Sequence, residues 1–97
     1  MSKSSDPVQI YFIYADNCSH CKDAEKTINQ SVEKCRDIPC KILKFKYDTQ
    51  VAVSIAINKD IDDLPGIVIK DSVFQGDNYS ESKITEAIKK AAIVEGK

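Results

Sequence analysis

The feature that most restricts the fold of this chain is an apolar strand that leads directly into an amphipathic helix. The segment from Gln9 to Ala15, QIYFIYA, is apolar almost throughout and rich in β-branched and aromatic residues, as is typical of a strand buried on both faces. After Cys18, apolar or small residues recur every three or four positions as far as Cys35, with mostly polar residues between them. The sequence therefore predicts a central strand followed by a helix from about Ser19 to Cys35.

The rest of the chain continues to alternate between strand and helix patterns. The segment from Lys41 to Asp48 alternates polar and apolar residues, which indicates a strand with one more polar face, nearer a sheet edge. The segment from Val51 to Ile57 fits a strand or a helix by composition, and its place between a strand and a proline turn favours a short helix. Two short apolar runs, Ile67 to Ile69 and Val73 to Phe74, predict an antiparallel hairpin. The last element is a helix capped by Ser80. Its apolar face is formed by Ile84, Ala87, Ile88 and Ala91.

These elements predict an α/β fold with the order βαβαββα. A strand, helix and strand in succession close with right-handed, parallel strands, so a four-stranded mixed sheet should carry helices on both faces. No repeat, low-complexity tract or Pro/Gly-rich linker divides the chain, which predicts a single domain over residues 8–97 after a flexible N-terminal tail, 1–7. Ligands of open α/β sheets bind outside the carboxyl ends of the strands, which places the predicted site at Cys18.

The charge balance and the N-terminal sequence argue against several kinds of partner. The chain has 97 residues, with 14 Lys plus Arg against 15 Asp plus Glu, and its net charge of -1 gives no reason to expect a nucleic acid or an acidic membrane as partner. The first seven residues are polar, and the apolar run from Val8 to Ala15 is too short to span a membrane. Neither a secretory signal nor an anchor is expected, which predicts a cytoplasmic protein. In a reducing compartment, a close pair of cysteines tends to bind a metal or to be catalytic.

Cys18 and Cys21 lie where two thiols of one helix would take different roles. Cys18 falls at the N-terminus of the predicted helix, where free backbone N–H groups and the helix dipole stabilise a thiolate. Cys21 falls one turn further, on the buried face, close enough to attack a mixed disulfide on Cys18 but shielded from outside partners. The spacing therefore predicts that Cys18 attacks and that Cys21 resolves.

Three motifs in the chain have counterparts in a known family. The stretch YADNCSHCK is similar to a strand end followed by a CxxC motif and a lysine, Lys22. The stretch DLPGIVI resembles a segment in which an apolar residue, here Leu64, precedes a cis-proline that faces the disulfide, here Pro65. Gly76 followed by a capped terminal helix resembles the segment that the family has after its last strand. In these motifs and their spacing the chain resembles the thioredoxin and glutaredoxin superfamily, over nearly its whole length beyond the N-terminal tail.

The resemblance implies a thioredoxin-like fold and a thiol-disulfide oxidoreductase that exchanges electrons with protein or glutathione disulfides through Cys18 and Cys21. Tyr14, Leu64 and Pro65 would form the surface on which a substrate docks. The implied partners are disulfide-containing proteins such as ribonucleotide reductase, with glutathione or a reductase as the electron donor. No tightly bound cofactor is expected, and glutathione would act as a co-substrate.

The residues around the cysteine pair depart from the thioredoxin pattern. Ser19 and His20 lie between the cysteines in place of glycine and proline, and Asn17 replaces the usual aromatic residue. A histidine as the second residue between the cysteines resembles the motif of protein disulfide isomerase. A cationic His20 would favour the thiolate of Cys18 and make the disulfide more oxidising. We therefore expect Ser19, His20 and Lys22 to tune the reduction potential to a value above that of thioredoxin, on a family scale of about -270 to -120 mV. The alternative is that His20 is a solvated side chain at a helix start.

Two further positions differ from what the family commonly carries. Phe12 stands six positions before Cys18, where thioredoxins have a buried acid that helps to move the proton of the inner thiol. Glutaredoxins commonly show a Thr-Val-Pro segment and a Gly-Gly dipeptide, and this chain has DLP and GD instead. Gly76, Asp77 and Asn78 could contact the charged end of glutathione or shape a turn before the last helix, and we favour the turn.

Cys35 and Cys40 allow a different interpretation, in which all four cysteines form a zinc site. A helix of about 16 residues, at about 1.5 Å each, would hold Cys18 and Cys35 more than about 20 Å apart, so a shared ion would require breaking that helix. We therefore expect no metal, and we favour two small, partly buried thiols over a local Cys35–Cys40 disulfide. The alternative from another functional class is a binding module that keeps the thioredoxin fold but whose CxxC pair no longer exchanges disulfides.

Overall fold

The computed structural model describes residues 7–95, with the side chains of residues 93–95 left aside. The predicted tail, 1–7, lies outside the described residues except for Pro7. The chain forms seven elements in the predicted order. They are β1 (Val8–Tyr14), α1 (Ser19–Lys34), β2 (Cys40–Lys46), α2 (Gln50–Lys59), β3 (Gly66–Ile69), β4 (Ser72–Gln75) and α3 (Glu81–Glu95).

The four strands form one mixed sheet in the order β2-β1-β3-β4. β1 pairs with β2 in parallel and with β3 in antiparallel orientation, and β3 and β4 form the predicted antiparallel hairpin. β1 is therefore a central strand and β2 an edge strand, as their residue patterns predict. The α/β fold class with a four-stranded mixed sheet is confirmed.

Apolar side chains fill both faces of the sheet. On one face, α1 and α3 cover β1 and β3, and the buried isoleucines include Ile28 of α1 and Ile84 of α3. On the other face, α2 covers Ile13 and Val68 through its one buried residue, Ala52. Helices therefore lie on both faces of the sheet, as predicted. None of the helices between residues 7 and 95 has the length and apolar content that a membrane span needs.

The last helix begins as its cap residue predicts. The hydroxyl oxygen of Ser80 accepts a hydrogen bond of 3.2 Å from the backbone N–H of Lys83, which satisfies a free donor of the first turn. Glu81 lies in this first turn, and its carboxylate forms a 3.0 Å ion pair with Lys34 at the end of α1. The predicted apolar face is buried at all four positions: Ile84, Ala87, Ile88 and Ala91.

Several element boundaries differ from the predicted ones by one to two residues. α1 ends at Lys34 and Cys35 is its C-cap, with a non-helical backbone. β2 ends at Lys46 instead of Asp48, because Thr49 turns the chain: its hydroxyl donates to the Lys46 carbonyl oxygen at 2.7 Å and accepts from the backbone N–H of Ala52 at 3.3 Å. The same cap starts α2 earlier than predicted, and α2 continues beyond Ile57 to Lys59.

Candidate functional site

Cys18 lies at the junction that the sequence predicts, between β1 and α1. It is the N-cap residue of α1, with extended backbone angles of φ -96° and ψ 109°, and its side chain is half-buried. No acidic side chain occupies the first turn of α1, so no carboxylate competes for the free backbone N–H groups of that turn. These groups and the helix dipole favour a thiolate at Cys18 when the pair is reduced.

Cys21 lies one turn into α1 and forms a disulfide with Cys18, with the two Cα atoms 5.3 Å apart. Only 4 % of Cys21 is exposed, and it belongs to the core cluster beneath α1. The backbone N–H of Cys21 donates to the carbonyl oxygen of Cys18 at 3.3 Å, which closes the first turn. The pair therefore consists of an accessible outer sulfur and a shielded inner one, in the arrangement that the spacing predicts.

A small cavity of about 220 Å³ adjoins the cysteine pair, and an ion pair forms part of its wall. The wall includes Phe12 and Cys21, together with Glu25 of α1 and Lys44 of β2. The Lys44 Nζ donates to Glu25 Oε2 at 2.6 Å, and this hydrogen bond raises the pKa of the exposed lysine above its usual value. Phe12 is only 1 % exposed, so the strand position where thioredoxins carry an acid is filled by a buried ring.

Glu25 and Lys44 are site residues that the sequence reasoning missed, although each had a signal. Glu25 is four positions after Cys21, the spacing that places two side chains on one face of a helix. Lys44 is the direct partner of Phe12 in the parallel pairing of β1 with β2, and it belongs to the polar alternation of the predicted edge strand. The alternation predicts a polar face, but only the strand register shows that this face adjoins Cys21.

The predicted docking residues lie at the end of β1 and in the segment before β3. Leu64 and Tyr14 are half-buried and pack against the same core cluster as Cys18, and the Leu64–Pro65 peptide bond is cis. Pro65 is buried, and its carbonyl oxygen accepts a 3.1 Å hydrogen bond from the backbone N–H of Gly76. Tyr14 also joins the neighbouring segment, since its carbonyl oxygen accepts from the backbone N–H of Tyr47 at 2.7 Å.

Gln75 fixes the loop that leads to Pro65, which the sequence did not indicate. Its side-chain oxygen accepts hydrogen bonds from the backbone N–H groups of Asp62 at 2.7 Å and Asp63 at 3.2 Å. Its side-chain nitrogen donates to the carbonyl oxygen of Asp60 at 3.3 Å. One side chain of β4 thus holds three backbone groups of the loop 60–63.

The three residues predicted to tune the potential, Ser19, His20 and Lys22, are exposed around the cysteine pair. Tyr79 holds this end of α1 from outside: its hydroxyl donates to Asp23 Oδ2 at 2.7 Å and lies 3.3 Å from the carbonyl oxygen of His20. Burial and the hydrogen bond to Asp23 raise the pKa of Tyr79 to about 12. The phenol is therefore neutral at ordinary pH and acts as a donor.

Gly76, Asp77 and Asn78 form the turn between β4 and α3. Gly76 has a φ of +63°, a backbone conformation that favours glycine, and the backbone N–H of Asn78 donates to the carbonyl oxygen of Gln75 at 3.1 Å. The Asn78 side-chain oxygen accepts a 3.0 Å hydrogen bond from Lys83 Nζ. These contacts agree with the favoured interpretation of the three residues as a turn.

Cys35 and Cys40 lie at the opposite end of α1 and are free thiols. The 16 residues of α1 separate Cys35 from Cys18. At about 1.5 Å per residue the helix is roughly 24 Å long, so one ion cannot reach all four sulfurs. Within residues 7–95, no group of three or more metal-binding side chains is found. Burial, and then the neighbouring Cys35, raise the pKa of the half-buried Cys40 thiol above 9.0.

Solved structures with the same fold include several thioredoxins. An uncharacterized thioredoxin-like protein from Clostridium perfringens superposes with a TM-score of 0.73 at 18 % identity, covering 93 % of this chain and 75 % of that one. Thioredoxin 1 from Thermosipho africanus gives a TM-score of 0.62 at 22 % identity, over 92 % of this chain and 99 % of that one. The first thioredoxin domain of a mouse protein disulfide-isomerase gives 0.59 at 19 % identity, over 88 % of this chain and 63 % of that one.

These identities are low enough that the structural neighbours show the fold alone. No curated protein matches the chain. The family model for thioredoxin, in contrast, matches residues 1–95, which is nearly the whole sequence. Together with the Cys18–Cys21 disulfide at the start of α1, this match indicates a redox-type CxxC site. The chain belongs to the thioredoxin family.

Proposed function

We propose that this chain is a thiol-disulfide oxidoreductase that exchanges two electrons with the disulfides of partner proteins. The observation that carries the proposal is the disulfide between a half-buried sulfur at the start of α1, Cys18, and a buried sulfur one turn further, Cys21. A partner sulfur that approaches from solvent meets Cys18 first, and Cys21 is placed to react only within the chain.

The exchange proceeds in two steps with a mixed disulfide between them. The Cys18 thiolate attacks a partner disulfide, the Cys18–partner bond forms, and the other partner sulfur leaves as a thiolate that takes a proton from water. Cys21 then loses its proton and attacks the sulfur of Cys18, and the second partner sulfur leaves as a thiolate and is protonated. Two electrons pass to the partner, and the chain keeps the Cys18–Cys21 disulfide. Glutathione or a reductase, as electron donor, reverses the steps and restores the dithiol.

Glu25 supports the second step as the acceptor of the Cys21 proton. A thiolate is the attacking species, so the buried Cys21 thiol must first give up its proton. Phe12 offers no acceptor in β1, whereas Glu25 lies one helical turn from Cys21 and lines the same cavity. The 2.6 Å contact with Lys44 fixes the position of this carboxylate.

The remaining predicted site residues act around this pair in the proposal. His20, Ser19 and Lys22 are exposed beside the outer sulfur, where a cationic imidazole or ammonium group favours the thiolate of Cys18. Tyr14, Leu64 and Pro65 provide the surface against which the partner chain lies. Targets are disulfide-bearing proteins, with ribonucleotide reductase among the partners that the family resemblance implies.

Turnover of a protein disulfide tests the proposal. With dithiothreitol as electron donor, the chain should accelerate the reduction of insulin, and Cys18→Ser should abolish the acceleration. Pre-reduced Cys21→Ser, freed of dithiothreitol before insulin is added, should stop after the first step and accumulate a mixed disulfide with the partner, which a non-reducing gel separates. Cys40→Ser is the matched control, because it removes a free thiol at the other end of α1 and should leave the rate within twofold. Partner binding without turnover, unchanged by Cys18→Ser, would instead indicate a binding module.

A further inference from the structure

α2 exposes more apolar surface than a helix in contact with water alone normally does. Six of its ten residues are Val, Ile or Ala, yet only Ala52 is buried. Val51 is 50 % exposed, Val53 46 % and Ile57 70 %. A helix that is apolar on nearly all sides is usually covered on more than one side, so the outer surface of α2 is suited to a further contact.

Part of this surface forms a groove of about 520 Å³ between α2, the end of β1 and the loop 60–64, here called the α2 groove. Val53 and Ile57, one helical turn apart, form its outer wall, and Ile13 lies in its floor. Its inner end reaches Leu64, the residue before Pro65. The groove is therefore continuous with the surface on which the proposed function places the substrate chain.

The rim of the α2 groove is acidic. Asp60, Asp62 and Asp63 line it and are exposed, and no lysine or arginine between residues 7 and 95 lines it. The ion pairs found over the same residues do not involve these three carboxylates. Gln75 fixes the loop through backbone groups alone, so the rim keeps a defined shape while its carboxylates are available to a partner.

The acidic rim distinguishes between the possible occupants. A second copy of this chain, related by a two-fold axis, would bring the two sets of carboxylates towards each other, which is repulsive. A partner segment with an apolar side chain next to cationic ones matches both the apolar wall and the charge of the rim.

We propose that the α2 groove docks an extended segment of the substrate protein that carries an aliphatic or aromatic side chain beside Lys or Arg, near its reactive cysteine. This inference rests on the proposed function, and it names the class of substrate that the site prefers. The apolar side chain contacts Val53 and Ile57, and the cationic groups face the carboxylates of the rim. Docking there holds the substrate disulfide at Cys18 and lowers the KM without changing the chemical step.

The test compares disulfide-linked peptide dimers that differ only in charge. One set carries Leu and two Lys on either side of the cysteine, a second set carries Leu and two Glu, and hydroxyethyl disulfide serves as a small substrate that cannot fill the groove. Of the Lys peptides, the one with the higher kcat/KM should exceed its Glu counterpart at least tenfold, because its KM is lower. This preference should weaken as the salt concentration is raised.

Variants of the groove separate docking from chemistry. In Asp62→Asn/Asp63→Asn and in Ile57→Ser, the ratio of kcat/KM for the Lys peptide to that for hydroxyethyl disulfide should fall at least threefold. Asp71→Asn, at an exposed position in the β3–β4 turn, is the matched control and should leave this ratio unchanged. Equal kcat/KM for the Lys and Glu peptides, or unchanged ratios in the groove variants, would overturn the inference while leaving the proposed function in place. Failure to accelerate the reduction of insulin would overturn the proposed function, and this inference with it.

Discussion

The structure predicts a large difference between two isoleucine to alanine substitutions that remove the same atoms. Ile84 of α3 is 0 % exposed and lies in the core cluster under α1 and α3, whereas Ile57 of α2 is 70 % exposed. Each substitution deletes three carbon atoms, so any difference in the free energy of unfolding reports their surroundings.

The magnitude for Ile84→Ala follows from burial and packing. Three buried carbons at about 0.8 kcal/mol each give a transfer cost of about 2.4 kcal/mol. The cavity left behind adds to this, for a total loss of about 3–4 kcal/mol. That is a large part of the roughly 5–15 kcal/mol by which a domain of this size is stable. Ile57→Ala should change stability by less than about 0.5 kcal/mol, as exposed positions do.

Urea unfolding of the oxidised protein measures both values. With a urea dependence of about 1–3 kcal/mol/M, the midpoint of Ile84→Ala should fall by roughly 1–4 M, with the slope unchanged, while Ile57→Ala stays close to the parent. Similar losses in the two variants would show either that Ile57 is as buried as Ile84 or that α3 does not pack against the sheet. Either result would refute the packing described here.

Three further predictions follow from single contacts. Because the folded-state pKa of Tyr79 is raised to about 12, above the usual 10.0, its contribution to stability is complete below pH 10 and is lost as the pH rises towards 12; the unfolding free energy should fall over that window less steeply in Tyr79→Phe. In the oxidised Cys35→Ser variant, Cys40 should react with iodoacetamide more slowly than a free cysteine at pH 8.5, since burial raises its pKa; an equal rate would contradict that burial. Gly76→Ala should cost about 1–2 kcal/mol in urea unfolding, because φ is +63° and the added Cβ would lie 3.3 Å from the Asp63 Cβ; a neutral effect would rule out this backbone conformation.

The sequence predicted the features that depend on neighbours in the chain. The helical spacing from Cys21 onwards gave α1, and the apolar face of α3 and its Ser80 cap are found as expected. α2 was ambiguous because its apolar residues have no helical periodicity, and its position between a strand and a proline turn correctly favoured a helix.

Contacts between distant parts of the chain could not be predicted in the same way. Gln75 holds a loop 12 to 15 residues before it, and nothing in its local sequence distinguishes it from any polar strand residue. The pairing of Glu25 with Lys44 depends on the register of β1 against β2, which no local pattern specifies. The missing acid at Phe12 is visible in the sequence. The spacing of Cys21 and Glu25 places both on one helix face, but it does not show that Glu25 shares a cavity with Phe12 and Lys44.

The reduction potential of the Cys18–Cys21 pair tests the proposed electron exchange most directly. The metal-free protein is equilibrated in glutathione buffers of graded potential, free thiols are alkylated, and the number of labels is counted by mass spectrometry, with Cys21→Ser as control. We predict one reversible two-electron transition that involves these two cysteines alone, with a midpoint between about -270 and -120 mV. A pair that stays fully oxidised or fully reduced throughout, or a loss of two labels that persists in Cys21→Ser, would contradict electron exchange at this site.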